Sequence, residues 1–352
     1  MSILYVLIAI LLLGILVVAH EFGHFMAARL TGIEVLEFAV GFGPKLLSRT
    51  SRKTGTKFSL RAIPLGGFCA FYGEDDTTGK TKDDPRAYAR QSVWKRMFTV
   101  LMGPFMNFIL AFVVAAVYLL CVGSADVEPY LIGVEENMPA AAAGLQAMDV
   151  ISEVNGVSVL DGTMDTLLAA IDGPEELTLT VLREGETLTL RCTPLWDEGA
   201  AQYRIGVSIQ GRYTGTSHPI GLGEAVRSSW DTCVYAGGVI LKAVGAMVTR
   251  GEGLDQTSGP VGVVSIVSQE VRDYGFEAFI NLLVIISINL GVMNLLPIPG
   301  LDGSRFLFMV VEAIRRKPVP QEKEAMVHLV GMLFLFSLMI FFTFRDVMNL
   351  FR

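Results

Sequence analysis

Four long apolar stretches set the pattern of the chain: Ile3–Ala28, Met97–Val122, Phe279–Leu296 and Val327–Phe344. Each approaches the ~20 residues that cross ~30 Å of hydrocarbon, so four membrane-spanning helices are expected. Only the first is interrupted by charge, at His20–His24. No basic residue precedes that stretch, as one would before a signal peptide, so it is expected to remain as a span. Between the first two spans, Lys57–Ile63 alternates, Pro64–Gly67 punctuates and Phe68–Tyr72 follows. This predicts a β-hairpin over residues 57–72. The hairpin is apolar for a loop and is expected to enter the membrane, where irregular backbone must be buried in protein or line a cavity. Gly41-Phe-Gly-Pro44 predicts a further turn.

The polar stretch after the second span has strand-like runs at 131–134, 150–154, 177–182 and 187–192. Segments 139–145 and 162–171 look helical, and Asn155-Gly156 and Glu184-Gly185 are turn dipeptides. A small α+β domain is expected over 125–195. Trp230, Val234, Leu241, Val244 and Val248 then recur with helical spacing. They predict either an amphipathic helix on the membrane surface or a helix packed on that domain. The segmentation is 1–28 (first span), 29–96 (loop with hairpin), 97–122 (second span), 125–195 (domain) and 196–277 (region with the amphipathic helix). It continues with 278–303 (third span and the motif after it), 304–326 (loop) and 327–346 (fourth span). The fold class is therefore an α-helical polytopic membrane protein with four transmembrane spans, a membrane-associated β-hairpin and an inserted α+β domain.

Basic residues orient these pieces. Residues 26–96 hold thirteen Lys and Arg, and 301–326 adds Arg305, Arg315, Arg316, Lys317 and Lys323. Residues 123–277 hold only eight. The positive-inside rule places 26–96 and 301–326 in the cytoplasm, with the N-terminus and the inserted domain outside. A net charge of −7 argues against a nucleic-acid partner. Four cysteines, none in a C-x-x-C pair, exclude a disulfide scaffold and a Cys-based zinc site. Cys192 and Cys233 would pair only if both faced an oxidising compartment.

His20-Glu-Phe-Gly-His24 carries the chemistry. Positions i and i+4 of a helix share a face, so both imidazoles can reach one metal, with Glu21 beside it as general base. Ionisable groups deep in a span cost about 2.5–3.5 kcal/mol each on insertion scales, so three in five positions call for a shared use. Catalytic zinc sites usually take three protein ligands. The candidates for the third are His218, His328 and Asp302. Asp302 follows the third span in Asn294-Leu-Leu-Pro-Ile-Pro-Gly-Leu-Asp302-Gly303, where two prolines break the helix. The expected topology puts the end of the third span on the same side as the end of the first, within reach of His20 and His24.

Together, H-E-x-x-H in a first span and N-x-x-P-x-P-x-L-D-G after a later one resemble the site-2 protease family of intramembrane zinc proteases. The bacterial single-PDZ branch, similar to regulator-of-sigma-factor proteases, is the nearest type. Gly41–Pro44, Arg61–Gly67, Gly103-Pro104 with Asn107, and Gly259–Gly262 extend the likeness over nearly the whole chain. The inserted domain resembles a PDZ domain through Pro139-Ala140, Ala143–Leu145, Asp149, Ile151 and Val154–Gly156. The resemblance implies one zinc ion held by His20, His24 and Asp302, with Glu21 activating water. It implies substrate contacts from Asn294 and Asn289, and from the hairpin, represented by Arg61, Gly66, Gly67 and Phe68, to which an extended substrate adds as a strand. It further implies a multi-pass protein of the bacterial cell membrane, in contact with lipid. The substrates would be single-span membrane proteins already cut by a site-1-type protease, such as trimmed anti-sigma factors, or remnant signal peptides. The Tyr130–Gly133 segment departs from the usual carboxylate-binding loop; the resemblance implies a filter that admits only substrates already trimmed outside, with capture of a free C-terminus as the other reading. Two alternatives predict different behaviour: a non-catalytic membrane PDZ adaptor, and a metal transporter.

Overall fold

A computed structural model describes residues 2–350, except 75–79, 82, 160–164, 172, 199–201 and 254–256. In chain order, α1 (Ile3–Thr31), β1 (Val35–Thr50), β2 (Lys57–Phe71) and α2 (Val93–Val122) come first. Next are β3 (Ser124–Val134), α3 (Pro139–Ala142), β4 (Val150–Val154), β5 (Val157–Ser158) and α4 (Asp165–Ile171). Then follow β6 (Leu177–Arg183), β7 (Glu186–Cys192), β8 (Leu195–Asp197), β9 (Gln202–Arg204) and β10 (Val207–His218). Four helices close the chain: α5 (Leu222–Arg250), α6 (Pro260–Leu295), α7 (Asp302–Arg315) and α8 (Gln321–Leu350). Two compact units result, one of residues 1–117 with 226–352 and one of residues 118–225.

The first unit holds long helices and the β1–β2 sheet. Leu12 and Leu16 of α1 pack against Val267, Val271 and Leu283 of α6. Ala111 of α2 meets Val284, Ile288 and Val292 of α6, with Cys233, Ala236 and Ile240 of α5 beside them. Small residues let helices approach closely where lipid offers no hydrophobic drive. A Cβ on Gly23 of α1 would lie 2.0 Å from the carbonyl oxygen of Met102 in α2, so only glycine allows this crossing. Helix α6 is longer than the expected third span because it holds two helical pieces joined at Gly275, whose φ and ψ are 68° and −140°. Asp346 near the end of α8 accepts the backbone N–H of Gly262, 2.8 Å away in the first turn of α6.

Among the described residues, five helices are long and apolar enough to cross a membrane: α1, α2, α5, α6 and the 322–348 part of α8. The additional one is α5. Its charged residues, among them Arg227, Asp231 and Lys242, suggest an amphipathic surface helix from sequence alone. The structure packs Cys233, Ala236 and Ile240 of this helix against α2 and α6.

The hairpin also differs from expectation. Residues 57–63 and 68–72 do not pair with each other. Both pair instead with β1. Residues 67–71 lie opposite 35–40, residues 57–61 lie opposite 45–50, and Glu37–Val40 also face Lys57–Leu60. The two bent strands thus form four runs side by side, with 67–71 at one edge. Phe25 of α1 stacks edge-on with Phe38 and Phe58, at 5.6 and 5.7 Å between ring centroids.

The second unit is a six-stranded sheet in the order β10-β3-β4-β6-β7, with β5 on β4. Its core holds Leu131, Leu145, Ile151, Val154, Leu167, Leu179 and Val181. Asp149, fully buried, accepts two hydrogen bonds at 2.7 Å from Arg183. Burial opposes ionisation of this carboxyl, yet the guanidinium and the Gln146 N–H hold it below its usual range. Strand β10 lies past the boundary expected at residue 195, because β10 rather than β7 pairs with β3. Helical structure is described at 165–171 and at 139–142, and residues 162–164 of the expected helix lie outside the described residues. The four cysteines are free thiols.

Candidate metal centre

The expected ligands come together. His20 and His24, one turn apart on α1, lie against Asp302 in the first turn of α7. Asp302 Oδ2 is 3.1 Å from His20 Nε2 and 3.3 Å from His24 Nε2, and the two Nε2 atoms are 3.3 Å apart. Both imidazoles are buried. No other group of three His, Cys, Asp or Glu among the described residues has this arrangement. His218 lies in the second unit, at the end of β10. His328 of α8 instead accepts the N–H of Gly300 at Nδ1, holding the loop before Asp302.

The geometry can be compared with zinc. Tetrahedral bonds of about 2.0–2.1 Å place ligand atoms about 3.3–3.4 Å apart, close to the three observed separations. The protonation pattern agrees. His24 Nδ1 lies 2.9 Å from the Thr99 carbonyl, which can only accept, so Nδ1 carries a proton and, in the neutral imidazole, Nε2 holds the lone pair. Asp302 Oδ2 is buried without a hydrogen-bond donor. Two lone pairs and a carboxylate oxygen converging in a buried space need a cation. The donor set of two imidazoles and one carboxylate is among those zinc takes.

Helix α2 supplies the surroundings. The Asn107 side-chain amide is 3.2 Å from His20 Nδ1, and the residue is fully buried. The amide end nearest Nδ1 is Nδ2, and Oδ1 is buried without a partner; exchanging the two amide ends lets Oδ1 accept from His20 Nδ1 and leaves Nε2 free toward Asp302. Ser287 of α6 donates to the Asn107 carbonyl at 2.8 Å. Asn107→Leu is expected to weaken zinc binding about 10–100-fold. Competition with a colourimetric chelator measures it, and unchanged affinity would leave Asn107 a packing role only. In the sequence Asn107 stands out only through the family likeness of Gly103-Pro104 with Asn107, which does not name it as a partner of His20.

The remaining expected residues are less uniform. Glu21 follows His20, and Gly67 of β2 lies against it: a Cβ there would meet Glu21 Cγ at 3.1 Å and Val17 at 3.0 Å. The 66–68 bend therefore reaches the general-base candidate. Arg61 is spent inside the hairpin, donating to Glu37 at 2.9 Å and to the Gly43 carbonyl at 3.0 Å, with its guanidinium over the Phe68 ring. Its observed role is to brace the sheet. Asn294 donates to the Leu290 carbonyl of its own helix. Asn289 is exposed and does not share Asn294's face, since five helical positions turn the chain by about 140°. Glu74, unremarked in the sequence, accepts from Arg305 of α7 and from the Phe71 N–H. It links the end of β2 to the helix that carries Asp302.

The profile of Peptidase family M50 matches residues 8–338. The chain belongs to this family. Zinc metalloprotease RasP of Bacillus licheniformis is 31% identical over 97% of this chain and 98% of that one. Regulator of sigma-W protease RasP of Bacillus subtilis is 32% identical over the same shares. The M50 chain is thus a zinc metalloprotease of the site-2 protease type and a multi-pass membrane protein.

Proposed function

We propose that this M50 protease cuts peptide bonds inside the membrane, using one zinc ion held by His20, His24 and Asp302. The observation that carries this reading is the convergence of those three side chains, with Glu21 beside them, among helices apolar enough to span a bilayer. Zinc bound there would supply Lewis-acid activation of water and of the scissile carbonyl. Glu21 would take a proton from the attacking water and deliver it to the departing amine, so the proton balance closes on one carboxylate. Asn107 and Thr99 would keep both imidazoles in the ligating tautomer.

A helical peptide bond is shielded, so the substrate must be extended at the cut. The 67–71 edge of the hairpin would take it as an added strand, and the 66–68 bend would bring it to Glu21. Asn294 would hold the neighbouring backbone. The uncut helical part would lie in the apolar groove along α1, lined by Leu7, Leu11, Gly14, Val18, Phe22 and Val40. The inserted domain would act as a PDZ-type filter on the outer side, with residues 26–96 and 301–326 facing the cytoplasm; this sidedness requires that α5 does not cross the bilayer. Substrates would be single-span membrane proteins shortened by a site-1-type protease. The name of the Bacillus subtilis relative points to sigma-factor regulation, hence to trimmed anti-sigma factors; remnant signal peptides present the same chemistry.

Purified protein in detergent tests this. A single-span reporter should be cut within its span, with loss of cutting on zinc chelation and recovery on adding zinc back. Mass spectrometry of the products locates the bond. A cut confined to the reporter's soluble flank would contradict intramembrane cleavage.

A further inference from the structure

Residues 41–63 contain six basic side chains, Lys45, Arg49, Arg52, Lys53, Lys57 and Arg61, and no Asp or Glu. Two of them are spent inside the hairpin: Lys45 and Arg61 both pair with Glu37. Arg49, Arg52, Lys53 and Lys57 make no ion pair among the described residues, and the first three are exposed. Lys45 stands beside Lys57 and pushes its ammonium below the usual lysine range. The outer half of the hairpin thus carries more positive charge than its own carboxylates offset.

The same half is apolar. Phe42, Leu46, Leu47, Phe58, Leu60 and Ile63 are between 40% and 68% exposed, too much for a sheet facing water. Register places Leu47 opposite Leu60 and Arg49 opposite Phe58, so cation and apolar side chains share a face. The apolar surface continues through the Phe25–Phe58 ring contact to α1, whose Phe22 is also exposed. Long basic side chains beside aliphatic and aromatic ones, joined to a membrane-spanning helix, match a layer where acyl chains end and phosphates begin.

We propose that the outer half of the β1–β2 hairpin docks on anionic phospholipid. Arg49, Arg52, Lys53 and Lys57 meet the headgroup phosphates, and Leu47, Phe58 and Leu60 enter the acyl layer below them. The other half of the same sheet lies against Glu21, so this anchorage fixes the height of the 67–71 edge relative to the reaction centre.

The test needs no proteolysis and is independent of the proposed substrate. Full-length protein is exchanged through mixed micelles of phosphatidylglycerol and phosphatidylcholine, and the retained lipids are quantified by mass spectrometry. Wild type is expected to enrich phosphatidylglycerol. The combined variant Arg49→Gln, Arg52→Gln, Lys53→Gln, Lys57→Gln should lose that enrichment at least about tenfold, since each basic residue at an anionic surface contributes about fivefold. The swap Arg49→Lys, Arg52→Lys, Lys53→Arg, Lys57→Arg should keep it. So should Arg315→Gln, Arg316→Gln, Lys317→Gln, Lys323→Gln, which removes equal charge elsewhere. Retained zinc and a monodisperse elution peak verify folding of each variant. Absence of enrichment in wild type overturns the proposal and leaves the basic tip to an acidic protein partner. Equal loss in the hairpin variant and the 315–323 control also overturns it, by making charge alone the cause.

Discussion

Glu21→Gln is expected to abolish cleavage while the protein keeps its zinc. Gln preserves the volume and length of the side chain but can neither accept the proton of the attacking water nor return it to the amine. A positioned general base contributes typically 10²–10⁴-fold, so reporter cleavage should fall by at least about 10². Zinc per chain should stay unchanged, because the proposed ligand atoms are on His20, His24 and Asp302 and not on Glu21. The same pair of readouts separates the protease from the two alternative functions. A PDZ adaptor would show no cleavage in wild type. A transporter that uses the imidazoles and Asp302 as a transit site would keep its flux in Glu21→Gln. Substantial residual cleavage in this variant, with zinc bound, would remove Glu21 from the role of base.

The second large effect is expected from one methyl group. Gly103→Ala would place a Cβ 2.2 Å from His24 Nε2, an atom that must stay free to bind metal. Alanine is a better helix former than glycine, so α2 has no intrinsic reason to suffer. The clash can be relieved only by moving the imidazole or the helix. A displacement of about 1 Å at a reaction centre costs about 10² in rate. Zinc content and cleavage are therefore expected to fall together, with helix content by circular dichroism unchanged. Gly14→Ala on α1 is the control, since a Cβ there meets nothing within 4 Å, and it should keep its zinc. Full zinc occupancy in Gly103→Ala would show that α2 does not approach His24 closely enough for a Cβ to displace it.

The centre was legible in the sequence because its signals are local. His20, Glu21 and His24 fall within five positions of one helix, and Asp302 is marked by the prolines that end α6. Their meeting needed only the expected topology. Asn107 and Thr99 were not legible as partners, because a hydrogen bond across 75 or 87 positions leaves no trace in periodicity. Gly103 showed as a small residue, but its proximity to His24 is a tertiary fact.

The hairpin was half legible. Lys57–Ile63 and Phe68–Tyr72 read as strands, but their partner did not. Val35–Val40 is a short apolar run, and Lys45–Thr50 lies beyond a Gly-Pro turn with adjacent leucines in place of alternation. Pairing between strands more than 20 residues apart is set by packing on α1, through Phe25 and Val35. Sequence could not show that Glu37 would pair with Arg61. In α5, charges interrupt the apolar spacing, and what sequence could not show is that Ala236 and Ile240 pack against α2 and α6. Strand β10 was overlooked because it follows two short strands and carries few large apolar residues, although it pairs with β3 along most of its length.

The central claim is that His20, His24 and Asp302 hold one zinc ion. X-ray absorption at the zinc edge of the purified protein tests it most directly. The account predicts one zinc per chain, a first shell of nitrogen and oxygen at about 2.0–2.1 Å with imidazole multiple scattering, and near-complete loss of zinc in Asp302→Ala. A sulfur shell at about 2.3 Å, or full zinc occupancy in Asp302→Ala, would contradict it.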